Sequence, residues 1–243
     1  MSESILLTIV IPAYNEERTI GNTLEEIAGY LDKRGFSYEM IVVDDGSTDG
    51  TFENAQSCAK LFGDLKVLKN NINMGKGYSV KRGILSARGE YTLFMDADNS
   101  TSIYEFDKFL PYLKDRCDVV IASRRLKNSD VKEPQPFLRA IMGLFYIILS
   151  KIMLGMQIND FNCGFKAYLS KAAKFLCEKQ KMDDWSFDTE LLFIAKKHGF
   201  RIKEVPVRWV HKSGSKVNPF KDGVGSFLSL IKIKRNDTSR KYD

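Results

Sequence analysis

Apolar residues in the first half of the chain fall into short uncharged runs separated by stretches of helical spacing. Residues 5–11 form a continuous apolar run ended by Pro12, the pattern of a strand buried on both faces. Residues 16–33 follow with Ile20, Leu24, Ile27 and Leu31 at helical intervals. A second strand is predicted over 39–43, ended by Asp44-Asp45-Gly46-Ser47, and Thr48 or Asp49 then caps a helix through Leu61. The alternation continues with a strand at 65–68 and a helix opened by Gly75-Lys76-Gly77, Val80 and Ile84 facing inward. A strand at 91–95 ends at Asp96-Ala97-Asp98, and a helix over 103–113 leads to a strand at 118–122. Strands alternating with helices predict an α/β domain, a mostly parallel, Rossmann-like sheet with helices on both faces. Ligands on such sheets bind beyond the carboxyl ends of the strands, where both acidic clusters stand.

The second half is less regular. Residues 138–154 are strongly apolar but interrupted by Arg139 and Lys151, so the uncharged stretch falls short of the roughly 20 residues a spanning helix needs. Arg139, Gly143, Tyr146 and Ser150 share one helical face, and Phe145, Ile148, Leu149 and Ile152 cover the other. Such a helix lies in a membrane interface or packs in a core; periodicity alone does not separate the two. Phe220, Val224, Phe227, Leu228 and Ile231 repeat the stripe among lysines, a more specific interface signal. The chain is thus read as one domain over 1–218, including an amphipathic helix at about 138–154, followed by a basic amphipathic tail over 219–243.

Charge sharpens that reading. The net charge is +6, and from His211 onward there are eight basic and three acidic side chains. A basic end docks onto something anionic, such as lipid headgroups, phosphates or nucleic acid; the plain alternative is a solvated tail. Cys58, Cys117, Cys163 and Cys177 have neither C-x-x-C spacing nor histidine partners, so they read as reduced, mostly core thiols. His198 and His211 are isolated and read as surface or cap residues. The N-terminal MSESILLTIVIP has no basic region and no cleavage site, so no signal peptide is expected.

Asp96-Ala97-Asp98 is the main chemical clue. Two carboxylates one residue apart, where the backbone turns after a strand, can address one divalent cation, and Mg2+ or Mn2+ characteristically bridges carboxylates to substrate phosphates. By itself the pattern also fits an exposed turn. Asp44-Asp45 at another strand end can accept hydrogen bonds from a nucleobase or ribose, as acidic residues do in dinucleotide folds, or can form an Asx turn and cap. Gly75-Lys76-Gly77 lacks Walker spacing, but a helix N-terminus with a lysine favours an anion.

Taken in order, Val10-Ile11-Pro12-Ala13-Tyr14-Asn15-Glu16-Glu17, Val42 to Thr51, Asn73-Met74-Gly75-Lys76-Gly77 and Asp96-Ala97-Asp98 resemble the family-2 glycosyltransferases of GT-A fold. Asn159 to Lys166, Trp185 to Leu192 and Trp209 through Gly214 to Phe220 are similar to the dolichyl-phosphate β-glucosyltransferase branch, with the polyprenyl-phosphate mannose synthases as cousins. The resemblance implies a single GT-A catalytic domain, a UDP-glucose donor, a polyprenyl-phosphate acceptor, Mg2+ or Mn2+, and peripheral work on the cytoplasmic face of a membrane, with no nucleic-acid partner. It implies that Pro12, Tyr14, Glu16, Val43 and Asp45 hold the base and ribose. Asp96, Ala97 and Asp98 would meet the diphosphate, with Lys76 nearby and Asp96 and Asp98 as metal ligands. Arg124 and Arg139 match phosphate-meeting arginines, although Ala122-Ser123-Arg124-Arg125 lets Arg124 and Arg125 exchange roles. Where some relatives carry a third, glutamine ligand, this chain has Ser100, so water would complete the shell.

The implied reaction is displacement at the sugar C1 by a lipid phosphate oxygen, giving a β-linked product from an α-linked donor. Asp188 is expected to position, with general base as the alternative; a helix N-terminal acid is the structural reading. Other readings remain open: GDP-mannose or another donor, a saccharide or protein hydroxyl acceptor, nucleotidyl transfer, and a non-enzymatic membrane adaptor.

Overall fold

The computed structural model describes residues 5–62, 64–132, 137–212 and 219–243; the side chains of 137–139 and 219–224 fall outside that description. The first half runs β1 (Leu7–Ala13), α1 (Ile20–Arg34), β2 (Tyr38–Asp44), α2 (Thr51–Leu61), β3 (Leu65–Lys69), α3 (Lys76–Ser86) and β4 (Tyr91–Met95). A 3-10 turn (Ile103–Lys108) then leads to α4 (Leu110–Lys114) and β5 (Val119–Ser123). The second half adds β6 (Asp130–Val131), α5 (Phe137–Leu154), β7 (Phe165–Leu169), α6 (Ser170–Lys179), α7 (Phe187–Lys197), β8 (Ile202–Pro206), β9 (Arg208–Trp209) and α8 (Pro219–Thr238).

The main sheet has the order β3-β2-β1-β4-β7-β5-β8. All neighbours are parallel except β7, which is antiparallel to both β4 and β5. A separate parallel pair joins β6 to β9. Alternate residues of β1 serve the two faces, as the pleat requires. Leu7, Ile9 and Ile11 pack with Leu24 and Ile27 of α1 and Ala55 of α2. Val10 packs on the opposite face with Val80 and Ile84 of α3, Leu176 of α6 and Leu191 of α7.

Three local expectations shift. Pro12 does not end β1, which runs on to Ala13. Ladder pairing to β4 stops at Val10, while pairing to β2 continues through Pro12 and Ala13. Asp45 N donates to Ala13 O on the β2 side, so the missing N–H of Pro12 faces the side where pairing has already ended. The helix expected over 103–113 breaks in two because Pro111 sits in the first turn of α4 and cannot donate back into a continuous helix. At α2 the N-cap is Gly50, while Asp49 Oδ1 accepts from Thr51 N at 3.1 Å one residue earlier.

The polar face of α5 points inward. Ser150 is buried, the Tyr146 hydroxyl is 2.7 Å from Thr189 Oγ1, and Ile141, Leu144, Phe145, Ile148 and Ile152 are exposed. Leu149, expected on the outer face, packs partly buried against the inner cluster. Helix α8 packs beside α5; its Leu230 and Ile233 are buried and its Phe227, Leu228 and Ile231 are exposed. Beyond α8, Tyr242 is fully buried and donates to Glu190 Oε1 at 2.6 Å. Lys197 binds Asp237 at 2.8 Å, and the ring of His198, the C-cap of α7, lies 2.6 Å from Tyr242 O. All four cysteines are free and buried. Among the described residues, no helix is long and apolar enough to cross a membrane.

Gly83 allows α3 to sit on the sheet: a Cβ there would strike Val10 Cγ1 and come 3.3 Å from Val43 Cγ2. Gly83→Val is expected to destabilise the fold by about 1–3 kcal/mol through overpacking, read as a lower urea midpoint at unchanged m-value. An unchanged midpoint would mean that α3 is free to shift.

Candidate active site

Strands β1, β2, β4 and β5 end on one edge of the sheet, and antiparallel β7 begins there. Two loops form the first wall. Asn15, in left-handed conformation at φ 53°, donates its N–H to Ser47 Oγ at 2.9 Å and accepts from Thr48 N at 2.8 Å. Glu16 N donates to Thr51 Oγ1 at 2.6 Å, and Gly50 N to Glu17 Oε2 at 3.0 Å. The Tyr14 to Glu17 segment is therefore laced to the Ser47 to Thr51 segment. Pro12 and Val43 are buried partners across the β1–β2 ladder beneath it, and Tyr14 and Glu16 are half-buried. Gly46 has φ 72°, and a Cβ there would run into the Ile72–Asn73 backbone, so the turn after Asp45 admits only glycine comfortably.

Asp45 is buried and its carboxylate is engaged within the protein. Oδ1 accepts from Asn70 Nδ2 at 2.7 Å and Met74 N at 2.9 Å, and Oδ2 accepts from Gly75 N at 2.9 Å. Gly77 N and Tyr78 N donate to Asp183 O at 2.8 and 3.3 Å. Asp45 thus holds the turn leading into α3, and the Asp183 carbonyl meets the first turn of the helix. Its neighbour Asp44 accepts from Ser47 N at 3.3 Å through Oδ1, while its buried Oδ2 has no hydrogen-bond partner among the described residues.

Asp96 and Asp98 follow β4. Asp96 N donates to Gly164 O at 3.0 Å, and a Cβ on Gly164 would fall onto the Asp96 carboxylate. Ala97 is buried, its carbonyl accepting from Thr23 Oγ1 at 2.8 Å; Asp98 Oδ1 accepts from Ser100 N at 2.9 Å. Burial and the neighbouring Asp96 charge raise the proton affinity of Asp98 above that of an ordinary aspartate. Lys76 lies 2.6 Å from Asp96 Oδ1. Burial disfavours its charge, but Asp96 and Asp188 outweigh that and hold it protonated.

A carboxylate pair short of positive charge fits a divalent cation. Among the described residues no third His, Cys, Asp or Glu joins the pair. Asp96 and Asp98 are the side chains that would hold such a cation.

Deeper in, Lys166 Nζ is fully buried and binds Asp188 Oδ1 at 2.7 Å and Cys163 O at 2.7 Å. Burial raises the Asp188 carboxyl above its ordinary range, against the opposing pull of Lys166 and Lys76. Lys76 and Lys166 both face the Phe94 ring, at 5.2 and 6.0 Å from its centroid. Arg124, expected to meet phosphate, pairs with Asp160: Nε and Nη2 bind its carboxylate at 2.7 and 2.8 Å, and Arg124 N adds a third bond at 3.0 Å. Burial disfavours the Asp160 charge, yet Arg124 holds this carboxyl below the ordinary range. Arg125 is exposed, has no carboxylate partner among the described residues, and its guanidinium lies 3.0 Å from where a Cβ on Gly143 of α5 would sit. Arg139 opens α5, and its side chain lies outside the described residues.

Sequence reasoning gave no role to Lys166 or Asp160. The signal for Lys166 was present, a lysine inside the otherwise apolar Phe165 to Leu169 run. Asp160 finds Arg124 across 36 residues, a distance that no local pattern reports.

Residues 8–176 match the model of glycosyl transferase family 2. The chain belongs to that family. It is 32% identical to a dolichyl-phosphate β-glucosyltransferase of Dictyostelium discoideum, covering 96% of this chain and 75% of the relative. The corresponding Drosophila melanogaster protein is 36% identical over 90% of this chain and 71% of its own length. The Homo sapiens protein is 33% identical over 88% and 70%. Among solved structures, mannosyl-3-phosphoglycerate synthase from Rubrobacter xylanophilus superposes with a TM-score of 0.70 at 18% identity, covering 97% of this chain and 75% of that one. Glucosyl-3-phosphoglycerate synthase from Mycobacterium tuberculosis, solved with Mn2+, UDP-glucose and glycerol 3-phosphate, gives 0.67 at 18% identity, covering 93% and 79%. The expected fold, a mostly parallel GT-A sheet with helices, is the one these structural neighbours share.

Arg124→Ala would strand a buried carboxylate, which typically costs about 3–5 kcal/mol. The expected result is a matching loss of unfolding free energy, partly restored by adding Asp160→Asn. Because Asp160 is held below its unfolded value, its pair stabilises the fold above that value. The contribution drains away as pH falls through the native value. Acid titration of unfolding should show that loss in wild type and not in the double variant.

Proposed function

We propose that this chain transfers glucose from UDP-glucose to a polyprenyl phosphate of the dolichyl type, with a divalent cation at Asp96 and Asp98, while docked on a membrane. The observation that carries this reading is the Asp96/Asp98 pair, bridged to Lys76 at the carboxyl edge of the sheet, in a chain that matches dolichyl-phosphate β-glucosyltransferases over most of its length. Mn2+ and UDP-glucose in a structural neighbour support the same donor chemistry.

In this reading Tyr14, Glu16 and the ledge of Pro12 and Val43 form the base and ribose side. Asp45 contributes by shaping the 70–75 loop. Bound at Asp96 and Asp98, the cation would supply Lewis acidity to the departing diphosphate. Lys76 adds a second positive charge from the protein. The acceptor phosphate is already anionic and attacks C1 directly, so no proton need be removed. The burial of Asp188 and its ion pair with Lys166 support a positioning role over general base. Arg125 is better suited than Arg124 to the acceptor phosphate, because the charge of Arg124 is already balanced by Asp160. A planar guanidinium offers paired hydrogen bonds to phosphate and keeps its charge. Its seat beside Gly143 would bring the headgroup to α5, whose exposed Ile141, Leu144, Phe145, Ile148 and Ile152 suit the lipid chain. The domain 1–218 would hold the chemistry and 219–243 the basic interface segment, docked to the domain through Leu230, Ile233 and Tyr242.

Released UDP and a β-linked glucosyl lipid phosphate are expected from UDP-glucose and a short polyprenyl phosphate with Mg2+ or Mn2+. Asp98→Ala should lower the rate by at least about a hundredfold while leaving the thermal midpoint near wild type. Full turnover in excess EDTA, or release of pyrophosphate, would contradict the reading.

Flotation should show binding to anionic vesicles that weakens with salt, since each basic residue near such a surface contributes about 1 kcal/mol and is screened. Replacing Phe145, Ile148 and Ile152 with serine should abolish flotation without unfolding the protein. Binding that only detergent releases would contradict peripheral docking.

A further inference from the structure

Trp185 is half exposed, whereas the chain's other tryptophan, Trp209, is buried. It stands in the segment between α6 and α7, which is held from several directions. Asp183 O accepts from the start of α3, Glu190 Oε2 accepts from Lys181 N at 3.0 Å and Met182 N at 2.9 Å, and Ser186 N donates to Asp184 Oδ1 at 2.8 Å. What lies beneath the ring distinguishes Trp185 from the other exposed apolar side chains. Lys76 Nζ is 4.8 Å from the indole ring centroid and 5.2 Å from that of Phe94, and the same ammonium is 2.6 Å from Asp96 Oδ1. A single ammonium group separates the indole from the carboxylate pair.

We propose that Trp185 is the platform for the hexose of the donor, an inference that rests on the donor reading above. A diphosphate at Asp96 and Asp98 offers Lys76 a second anion within reach, and the sugar joined to that diphosphate is the next group outward, beside the open part of the indole. A pyranose presents one face of C–H bonds, and the electron-rich face of an aromatic ring attracts them. The tethers on Lys181, Met182 and Asp183 hold the ring in place before the sugar arrives, which limits the entropy lost on binding. An indole acting as a lipid anchor belongs at the membrane–water boundary, beside the outward faces of α5 and α8. Trp185 instead contacts the lysine of the acidic pair.

The test compares UDP with UDP-glucose, which differ only by the hexose, titrated by calorimetry with MnCl2 into wild type, Trp185→Leu and Trp185→Phe. Trp185→Leu is expected to weaken UDP-glucose about tenfold and to leave UDP within about twofold, with Trp185→Phe recovering most of the loss. Tryptophan emission gives a second readout: UDP-glucose should change it more than UDP does, and the difference should vanish in Trp185→Leu, where Trp209 alone emits. Equal UDP-glucose affinity in wild type and Trp185→Leu would overturn the platform while leaving the donor reading intact. Failure of wild type to bind either nucleotide would overturn both. Lost vesicle flotation in Trp185→Leu at unchanged UDP-glucose affinity would overturn the platform and make the indole a lipid anchor.

Discussion

Asp96 and Asp98 bring two negative charges to the end of a buried strand, and that repulsion must be offset before anything else can assemble around them. Lys76 supplies one charge at 2.6 Å. Its own seat is shared with Phe94 and with Asp188, whose charge is in turn matched by Lys166 from β7. Alternating acids and lysines thus run from the open edge of the site into the sheet. Neighbouring opposite charges work against the effect of burial at Asp188 and outweigh it at Lys76. From β7, between β4 and β5, Lys166 reaches Asp188 at 2.7 Å. The arrangement also explains why Gly164 precedes that strand: the space a side chain would fill is taken by the Asp96 carboxylate.

The parallel half of the fold was legible because its strands read as short, mostly apolar runs and most of them led into an acidic or glycine-containing turn. The second half was not, and Lys166 shows why. A charged residue at the second position of a five-residue strand breaks the apolar run, and its compensation by Asp188 lies on another element 22 residues away. The insertion of an antiparallel strand is likewise a tertiary fact with no local signature. Asp45 illustrates a different limit. Residue type and position marked a carboxylate at a strand end, but not whether its oxygens point outward or are taken up by Asn70, Met74 and Gly75. The two adjacent arginines are alike in sequence, and only the partnership with Asp160 separates them.

Helix α5 shows how one amphipathic pattern can be used in reverse. Its small and polar residues face the protein, where Tyr146 meets Thr189 and Gly143 makes room for Arg125. Its large apolar residues face out, and α8 presents Phe227, Leu228 and Ile231. For a protein meant to remain free in water such exposure would be a liability. In the proposed reading it puts the apolar surface on the same helix as Gly143, beside which Arg125 sits.

Tyr242 ties the end of the chain to Glu190, and Glu190 holds the turn at Lys181 and Met182 that leads to Trp185. Synthesis runs from the N-terminus, and domains begin to fold as they emerge. The sheet, the acidic pair and α7 can all be in place while α8 is still inside the ribosome. In that interval Glu190 is a carboxylate with two backbone donors and no hydroxyl, and the turn above Lys76 lacks one of its fixings. The turn beside Lys76 is therefore fixed only once the segment after α8 has docked, so a nascent chain would pass through a stage in which the sheet is complete and that turn is not.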